Sequence, residues 1–323
     1  MLNWGIVGTG VIANEFAQQF LAGNANLYGV SSKSEIQAKQ FAGKYNIEKV
    51  FATNDELINE PEVDVVYIAV PHNIHYELIM QSLKAKKHVV CEKLITISKE
   101  QLDKATELAN KNNVLLFEAM TIHYMPLYTK LNEWIKAHDL GPLKMVQVNF
   151  GSFKTFDQSR YFFNKDLAGG ALFDIGVYAL NFTRWFLTSK PEEIDTLGNI
   201  HTSTGVDESS VIILRNKEKE LASISLTFRA KMPKQGVVAF ENGYFTITNY
   251  PRADKAIFTD LEGNVTIIEE GQTAKGLAYE VEKITDLILY KKENPNLQYT
   301  LDVLEIMDNV RNKWGLHYLF EHC

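Results

Sequence analysis

Three polar residues in this sequence have the types and the spacing needed to move a proton beside a substrate hydroxyl. Lys93 follows Glu92 and the apolar residues 89–91. Asp174 and Tyr178 follow paired glycines and are four residues apart, so both project from one face of a helix. A tyrosine is a poor acid or base at neutral pH, and a nearby lysine cation lowers its pKa toward the working range. The set therefore predicts acid/base chemistry.

Each of these residues also has a structural interpretation. Asp174 can act as the N-cap of the helix that it opens, and Tyr178 can be a core aromatic residue. Glu92 and Lys93 can form a surface ion pair, but that fits poorly because both charges directly follow an apolar strand. The carboxyl end of such a strand borders the ligand crevice of an open α/β sheet, where a lysine can polarise a substrate hydroxyl. We therefore expect Lys93, Asp174 and Tyr178 to be the catalytic set.

The stretch 2–16 has the order strand, glycine turn, helix that positions a dinucleotide. Gly8 permits a tight bend, Gly10 lets the backbone approach a pyrophosphate, and the small Ala13 lets the helix pack closely on the strand. The free N–H groups at the helix start then face the phosphates. A glycine-rich surface loop is the alternative, which the position between strand and helix disfavours. The predicted contacts are Gly8, Thr9, Gly10, Val11, Ile12 and Ala13.

The end of the second predicted strand, residues 27–31, discriminates between the two nicotinamide coenzymes. NAD sites usually place Asp or Glu there, to accept hydrogen bonds from the 2′-hydroxyl of the adenosine ribose. This chain has Ser32 and Lys33, whose hydroxyl and cation suit a 2′-phosphate. We therefore expect NADP, with NAD less favoured. In the alternative, Lys33 is a solvated loop residue and Glu35 reaches the ribose.

Further cofactor contacts are expected where the predicted strands 63–70 and 88–91 end. The first of these strands is a nearly continuous β-branched run, typical of a strand buried on both faces. His72 or Asn73 is placed to line the ribose and the nicotinamide, whereas His75 is expected to hold the loop by hydrogen bonds. Neither histidine is part of a metal pattern, and we expect no metal. The predicted contacts are Pro71, His72, Asn73, His75 and Glu92.

The order of the predicted elements indicates an α/β chain of two domains. Strands and helices alternate up to residue 117, which predicts a doubly wound parallel sheet, the Rossmann arrangement, over residues 1–120. Residues 121–323 are predicted to form an α+β domain for substrate binding and oligomerisation. Its successive alternating strands, with turns such as Asn242-Gly243, predict a large, mostly antiparallel sheet.

The helices of the predicted second domain leave one face of its sheet open. One helix, residues 176–186, interrupts the strands early, and two helices, 277–291 and 298–314, finish the chain. An open face of this size predicts contact with another copy of the chain, as a homodimer or a higher homo-oligomer.

Composition limits the class of protein. A chain of 323 residues can bury a large core, and its net charge of −7, without a basic stripe, disfavours nucleic acid as a partner. We find no secretory leader pattern and no apolar run that spans a bilayer, so a cytoplasmic protein without membrane contact is expected. Cys91 lies in an apolar strand and Cys323 ends the sequence, which gives no disulfide framework and favours a reducing compartment.

The whole chain resembles the Gfo/Idh/MocA oxidoreductase family, the group of glucose–fructose oxidoreductase and inositol 2-dehydrogenase. Within it, the chain is most similar to the dihydrodiol dehydrogenase-like branch, which is NADP-dependent and has tyrosine where the inositol dehydrogenases have histidine. The motifs that carry the resemblance are GTGVIA at 8–13, PHNIH at 71–75, VCEK at 90–93, EAM at 118–120, GGALFDIGVY at 169–178 and RNKWGLHY at 311–318.

The resemblance implies a role for each residue of the catalytic set. Lys93 would be the catalytic lysine, Tyr178 the proton donor or acceptor, and Asp174 the residue that orients the substrate and the lysine. It also implies that the open-faced sheet is used for dimerisation.

We therefore expect an oxidoreductase that transfers a hydride between NADP(H) and a secondary alcohol or carbonyl of a sugar, polyol or diol. Three positions depart from the family pattern. Leu94 replaces the proline of Glu-Lys-Pro, and Thr121 and His123 replace Trp and Arg of the dihydrodiol branch. These departures motivate an alternative, a cofactor-binding sensor or partner protein without turnover. The presence of all three catalytic residues favours the enzyme.

Overall fold

The computed structural model describes residues 1–20 and 23–321. Its strands in this part of the chain are β1 (Leu2–Val7), β2 (Ala25–Ser31), β3 (Lys49–Phe51), β4 (Val65–Ile68), β5 (His88–Glu92), β6 (Leu116–Ala119), β7 (Leu143–Gly151), β8 (Pro191–Ile200), β9 (Asp207–Asn216), β10 (Leu221–Thr227), β11 (Met232–Phe240), β12 (Gly243–Thr248), β13 (Lys255–Asp260) and β14 (Val265–Glu269). Its α-helices are α1 (Val11–Gln19), α2 (Glu35–Tyr45), α3 (Asn54–Asn59), α4 (His75–Lys84), α5 (Lys99–Lys111), α6 (Pro126–Ala137), α7 (Val177–Phe186), α8 (Gly276–Leu289) and α9 (Leu297–Trp314).

The first of two compact units contains a six-stranded parallel sheet in the order β3-β2-β1-β4-β5-β6. Strand β4 is buried along its whole length, as its run of apolar residues requires. The hydroxyls of Ser34, Thr53 and Ser98 cap helices α2, α3 and α5 and define where each helix begins. The predicted Rossmann sheet is confirmed, and its parallel strands bring their carboxyl ends to one edge.

Helix α8 belongs to this first unit, whereas the sequence analysis placed it in the second domain. The unit comprises Met1–Met120 and Lys275–Leu297. Gln19 at the end of α1 accepts a hydrogen bond from the backbone N–H of Leu277 at 3.1 Å. The amide of Asn294 donates to the carbonyl of Leu116 at 2.8 Å. The apolar face of α8 is therefore buried against α1, an arrangement that chain order does not reveal.

The second unit, Thr121–Ala274 with the described residues from Gln298 onward, contains an eight-stranded sheet in the order β14-β13-β12-β11-β7-β10-β9-β8. Strands β7 and β10 pair in parallel, and the other neighbours are antiparallel. The mostly antiparallel sheet is thus confirmed. The edge strand β8 was not predicted, because Gly198 and Asn199 interrupt a segment that has few apolar residues.

One face of this sheet packs against helices and the other is exposed. A Cβ added to Gly236 of β11 would lie 2.3 Å from the ring of Phe182 on α7, so the glycine lets the helix pack closely. On the opposite face, Leu197 is 82% exposed and Ile213 is 51% exposed. The exposed apolar side chains of this face are Met145, Leu197, Val211, Ile213, Leu221, Tyr244, Val265 and Ile267.

Two further properties concern the described residues only. None of their helices combines the length and the apolarity that crossing a bilayer requires. They also contain no group of three or more His, Cys, Asp or Glu residues that could hold a metal ion. Cys91 is buried in β5, and burial raises the pKa of its thiol. Cys323 lies outside the described residues.

Candidate functional site

The glycine turn between β1 and α1 has the geometry that a pyrophosphate requires. Gly8 has φ +106°, and a Cβ there would lie 2.3 Å from the carbonyl oxygen of Ala69, so the turn accepts only glycine. A Cβ on Gly10 would meet no described atom within 4 Å. Gly10 is the N-cap residue of α1, no side chain caps the helix, and Val11 is 90% exposed. The first N–H groups of α1 are therefore open to an anion, which fits a dinucleotide.

The end of β2 lies against this turn. The hydroxyl oxygens of Ser32 and Thr9 are 3.1 Å apart. Lys33 is exposed, and Ser34 begins α2. Glu35, the alternative ribose contact, forms an ion pair with Lys39 at 2.6 Å on the exposed side of α2. Because Glu35 is paired with Lys39, the hydroxyl of Ser32 and the cation of Lys33 are the groups beside the turn that suit a phosphate.

Two residues beside the turn were missed by the sequence analysis. The amide of Asn14 donates to the carbonyls of Thr9 and Gly10 at 3.1 and 3.0 Å and holds the turn in shape. The ammonium of Lys44 donates to Asn14 at 3.1 Å. Asn14 directly follows the glycine fingerprint and could have been found, but Lys44 reaches it only through packing of α2. The cavity beside them, about 430 Å³, is lined by Thr9, Gly10, Asn14, Gln37, Gln40, Phe41 and Lys44.

The loop after β4 supports the backbone that carries Lys93. The two ring nitrogens of His75 lie 2.8 Å from the carbonyl oxygens of Leu94 and Val70, and burial lowers the pKa of this histidine. Nε2 of His72 lies 3.1 Å from the carbonyl of Lys93. The peptide bond between Lys93 and Leu94 is cis. His75 thus holds the loop, as predicted, and His72 takes part in the same support.

The remaining predicted cofactor contacts differ in their surroundings. Pro71 is exposed, and Asn73 is half-buried in the turn His72–Ile74 at the carboxyl end of β4. Glu92 is buried and accepts a hydrogen bond from the phenol of Tyr67, whose ring stacks on Phe16 at 3.8 Å. Burial, followed by the Glu92 charge, raises the pKa of Tyr67. The Glu92 carboxylate is thus engaged within the first unit.

Asp174 and Tyr178 lie on one continuous helical segment of the second unit. The segment begins with a π-helical turn, Leu172–Gly176, that runs into α7. It therefore begins at Leu172, two residues before Asp174, which was predicted to open the helix, and four residues before the predicted helix 176–186. The backbone N–H of Asp174 donates to the carbonyl of Gly170 at 3.1 Å, so Asp174 is inside the helix rather than its N-cap. Single π-turns occur frequently at functional sites.

The start of this segment is held by Asp207 on β9, which the sequence analysis missed. Its carboxylate accepts a hydrogen bond from the N–H of Leu172 at 2.7 Å. Gly170 has φ +123°, and a Cβ there would lie 2.3 Å from Oδ1 of Asp207. Burial raises the pKa of Asp207 to about 7, opposed by backbone hydrogen bonds and by the charge of Arg311. Gly170 therefore leaves room for the protein's own carboxylate.

The C-terminal tail supports the same segment from another side. The phenol of Tyr318 donates to the carbonyl of Gly169 at 2.6 Å, and its ring stacks on Phe173 at 5.0 Å. The guanidinium of Arg311 lies 5.3 Å from the ring of Phe173 and pairs with the carboxylate of Glu321. These contacts give the tail motif, noted from the sequence alone, a supporting role in the site.

The side chains of the candidate pair face aromatic neighbours. The phenol of Tyr161 donates to Oδ1 of Asp174 at 3.4 Å. The ring of Tyr178, which is half-buried, lies 6.3 Å from the ring of Phe150 on β7. Asp174 itself is buried. An acid and a phenol, both held by packing, are thereby presented from one helix face.

The two residues that depart from the dihydrodiol branch are held by hydrogen bonds within the second unit. The hydroxyl of Thr121 donates to the carbonyl of Pro251 at 2.7 Å. Nε2 of His123 donates to Oδ1 of Asn181 at 2.9 Å, because the amide of Asn181 is used as a donor to the carbonyl of Val177. Burial lowers the pKa of His123 to about 4, which keeps its imidazole neutral.

Comparison with known proteins agrees with this architecture. Residues 2–120 match the model of an oxidoreductase family with an NAD-binding Rossmann fold, and residues 128–246 match the GFO/IDH/MocA C-terminal domain. The trans-1,2-dihydrobenzene-1,2-diol dehydrogenase of Xenopus laevis is 30% identical over 331 residues, covering 98% of each chain. The D-xylose 1-dehydrogenase (NADP(+)) of Hypocrea jecorina is 33% identical over 258 residues, which are 71% of this chain and 66% of the relative.

A solved structure extends the likeness in fold. Levoglucosan dehydrogenase, in complex with NADH and levoglucosan, has a TM-score of 0.88 to this chain at 16% identity, with 97% of both chains covered. Fold and matches together define a two-domain oxidoreductase with an NAD(P)-binding Rossmann domain. More specifically, the chain belongs to the Gfo/Idh/MocA family, and the predicted likeness to dihydrodiol dehydrogenases is confirmed.

Proposed function

We propose that this protein is an NADP-dependent oxidoreductase that acts on a secondary alcohol, or on the corresponding carbonyl, of a sugar, polyol or diol. Relatives named for a dihydrodiol, for D-xylose and for levoglucosan support this substrate class. When bound, the nicotinamide accepts or supplies the hydride, and the chain's own residues bind, orient and manage the proton.

In the proposed reaction, the phenol of Tyr178 exchanges a proton with the substrate hydroxyl. The ammonium of Lys93 favours the charged form of the phenol and polarises the substrate oxygen. Asp174 accepts a hydrogen bond from a substrate hydroxyl or orients the lysine. The proposal requires that Lys93, from the first unit, act together with the helix of the second unit while coenzyme and substrate are bound.

The observation that carries the proposal is the support built around the helix of Asp174 and Tyr178. A buried carboxylate, a tyrosine from the tail and Gly170, which leaves room for both, restrain the start of this helix. Groups that act in catalysis must be held within a fraction of an ångström by such packing. A protein that only bound coenzyme would have no chemical need for a restrained acid beside a restrained phenol.

The choice of NADP rests on the phosphate-binding edge of the first unit. We propose that Ser32, whose hydroxyl contacts that of Thr9, and the exposed Lys33 bind the 2′-phosphate of NADP. Lys44 adds a third polar group that lines the adjoining cavity. We propose Gly8, Gly10 and the first N–H groups of α1 as the pyrophosphate contacts.

Coenzyme choice is tested by titrating the purified protein with NADPH and NADH while nicotinamide fluorescence is followed. NADPH is expected to bind at least about tenfold more tightly than NADH, because NADH lacks the 2′-phosphate and so cannot form the charge-assisted hydrogen bonds to it. Lys33→Asp should abolish that preference, whereas Lys130→Asp, an exposed lysine on α6, should not. Equal or tighter binding of NADH would reject the 2′-phosphate assignment.

Turnover is tested with a panel of sugars, polyols and diols, in both directions. Turnover of any member supports the enzyme, and Lys93→Met should then lower kcat at least about 100-fold. A Lys93→Met protein with near-normal turnover would remove the lysine from the mechanism. Coenzyme binding without turnover across the panel would support the sensor alternative instead.

The open face of the eight-stranded sheet is proposed as a contact between two copies of the chain. The exposed Leu197 and Val211 are cross-strand partners, and Ile213 is the next outward residue on β9. Together they form an apolar surface of the kind that self-association buries.

We also propose that the protein is cytoplasmic, as predicted from the sequence.

A further inference from the structure

We propose that the substrate carries an anionic group, a carboxylate or a phosphate, and that this group binds Lys154 and Lys234 beside Asp174 and Tyr178. The inference rests on the proposed function, because it names the chemical class of the substrate for that same site. It narrows the sugars, polyols and diols to their acidic or phosphorylated forms.

Lys234 on β11 is separated from Tyr178, the proposed proton-transfer residue, by the ring of Phe150. Its ammonium lies 4.8 Å from the centre of the Phe150 ring. The same ring lies 6.3 Å from the ring of Tyr178. A substrate whose reacting hydroxyl meets the phenol can therefore extend another substituent past Phe150 to this cation.

Lys154, which follows β7, is separated from Asp174 by the rings of Phe162 and Tyr161. Its ammonium lies 4.0 Å from the centre of the Phe162 ring. Phe162 packs on Tyr161, with ring centres 3.9 Å apart, and the phenol of Tyr161 donates to Asp174. Aromatic side chains thus connect each lysine to the candidate helix, Lys234 to Tyr178 and Lys154 to Asp174.

The cations of this region outnumber its carboxylate, Asp174. Burial lowers the pKa of Lys234, the positive charges of Lys154 and Arg252 lower it further, and the charge of Asp174 opposes them. Within the described residues, no carboxylate lies within ion-pair distance of Lys154 or Lys234. Cations held near one another bind an anion more strongly than isolated lysines do.

A cavity of suitable size adjoins Lys154. Its volume is about 570 Å³, within the usual range for small-molecule sites. Asp157 and Arg160 face each other across 3.7 Å in its lining, so the acid is matched by the arginine rather than by the lysine. The lining is Phe153, Lys154, Thr155, Asp157, Arg160 and Phe162, which combines cations for an anionic group with rings for a sugar face.

The first experiment measures equilibrium binding to the full chain saturated with NADPH. The calorimetric probes are D-glucose, D-glucuronate and glucose 6-phosphate, which share a ring and differ in the anionic group. At least one anionic probe should bind at least about tenfold more tightly than glucose. Preference for glucuronate identifies a carboxylate, and preference for the phosphate ester identifies a phosphate. Equal binding of all three probes would overturn the inference.

The second experiment replaces the cations without altering the proposed catalytic groups. Lys154→Met and Lys234→Met should each weaken binding of the preferred anionic probe about tenfold and leave glucose binding unchanged. Lys217→Met, at an exposed lysine in the turn between β9 and β10, is the matched control. Unchanged binding of the anionic probe in both lysine variants would also overturn the inference.

Turnover separates this inference from the proposed function. If anionic substrates are oxidised, the lysine variants should raise KM about tenfold with kcat within about twofold. If neutral polyols are turned over with no preference for an anionic analogue, the enzyme stands and the anionic substrate is rejected. If the anionic probe binds through both lysines but nothing is turned over, the anion site stands and the proposed function fails.

Discussion

The carboxylate of Asp207 accepts a hydrogen bond from the backbone N–H of Leu172 at 2.7 Å, at the first residue of the helical segment that presents Asp174 and Tyr178. A side chain from the sheet thereby does for this segment what a local N-cap does for an ordinary helix. The position of the candidate acid and phenol consequently depends on one buried carboxylate 35 residues further along the chain.

Asp207→Asn is expected to change how stability depends on pH. Burial raises the pKa of Asp207 from 3.8 to about 7, so between these values the folded state holds a proton that the unfolded state has lost. This group alone makes stability fall as pH rises, by at most about 1.4 kcal/mol per pH unit. Denaturant unfolding from pH 4 to 8 should show that this contribution is absent in the variant.

The control for this experiment is Asp166→Asn, at a carboxylate in the short 3-10 helix Lys165–Leu167 of the same unit. Its pH dependence should follow that of the original protein. Identical curves for Asp207→Asn and the original protein would contradict a raised pKa at position 207.

His123→Gln is expected to change the same curve in the opposite direction. Burial lowers the pKa of His123 from 6.5 to about 4, so in this range the unfolded state binds the extra proton. Its contribution to stability is present above pH 6.5 and is lost as the pH falls through this range. The amide of the variant can still donate to Asn181, but it does not titrate.

His123 and Asp207 therefore act against each other between pH 4 and 6.5. The stability of the original protein should depend only weakly on pH in this range. The stability of His123→Gln should fall more steeply as the pH rises, and the stability of Asp207→Asn should increase. The double variant should again be shallow. If stability depends on pH in the same way in His123→Gln and in the original protein, the titration of His123 does not contribute to stability.

Tyr178→Phe is expected to lower kcat by about 100-fold or more, because general acid/base catalysis contributes roughly that much. The ring and its packing near Phe150 are retained, so NADPH affinity and thermal stability should change little. Tyr244→Phe, at an exposed tyrosine on β12, is the matched control. Turnover within about threefold of the original enzyme would show that another group moves the proton.

Ile213→Lys is expected to weaken self-association through the open sheet face. The side chain is 51% exposed, so a lysine costs the isolated chain little, but it places a charge on the apolar surface. Light scattering after gel filtration should show a lower mass than for the original protein. Ile36→Lys, at an exposed isoleucine on α2, should leave the mass unchanged. A lower mass for both variants, or for neither, would exclude this face.

Much of the architecture follows from patterns between residues that are close in the sequence. The bend at Gly8 and the helix beginning at Val11 are local, since a backbone with φ above zero and a run of free N–H groups need only a few residues. The two sheets were predictable for the same reason, because strand burial appears directly as continuous or alternating apolar residues. The spacing of Asp174 and Tyr178 likewise specified one helix face.

Packing between distant segments decided the rest. The start of the candidate helix at Leu172, the carboxylate of Asp207 and the phenol of Tyr318 meet only after the sheet and the tail have formed. Helix α8 joins the first unit because its apolar face fits α1, and an apolar helix face is compatible with many partners. Lys154 and Lys234 are ordinary lysines in the sequence, and only the folded chain places their charges near one acid.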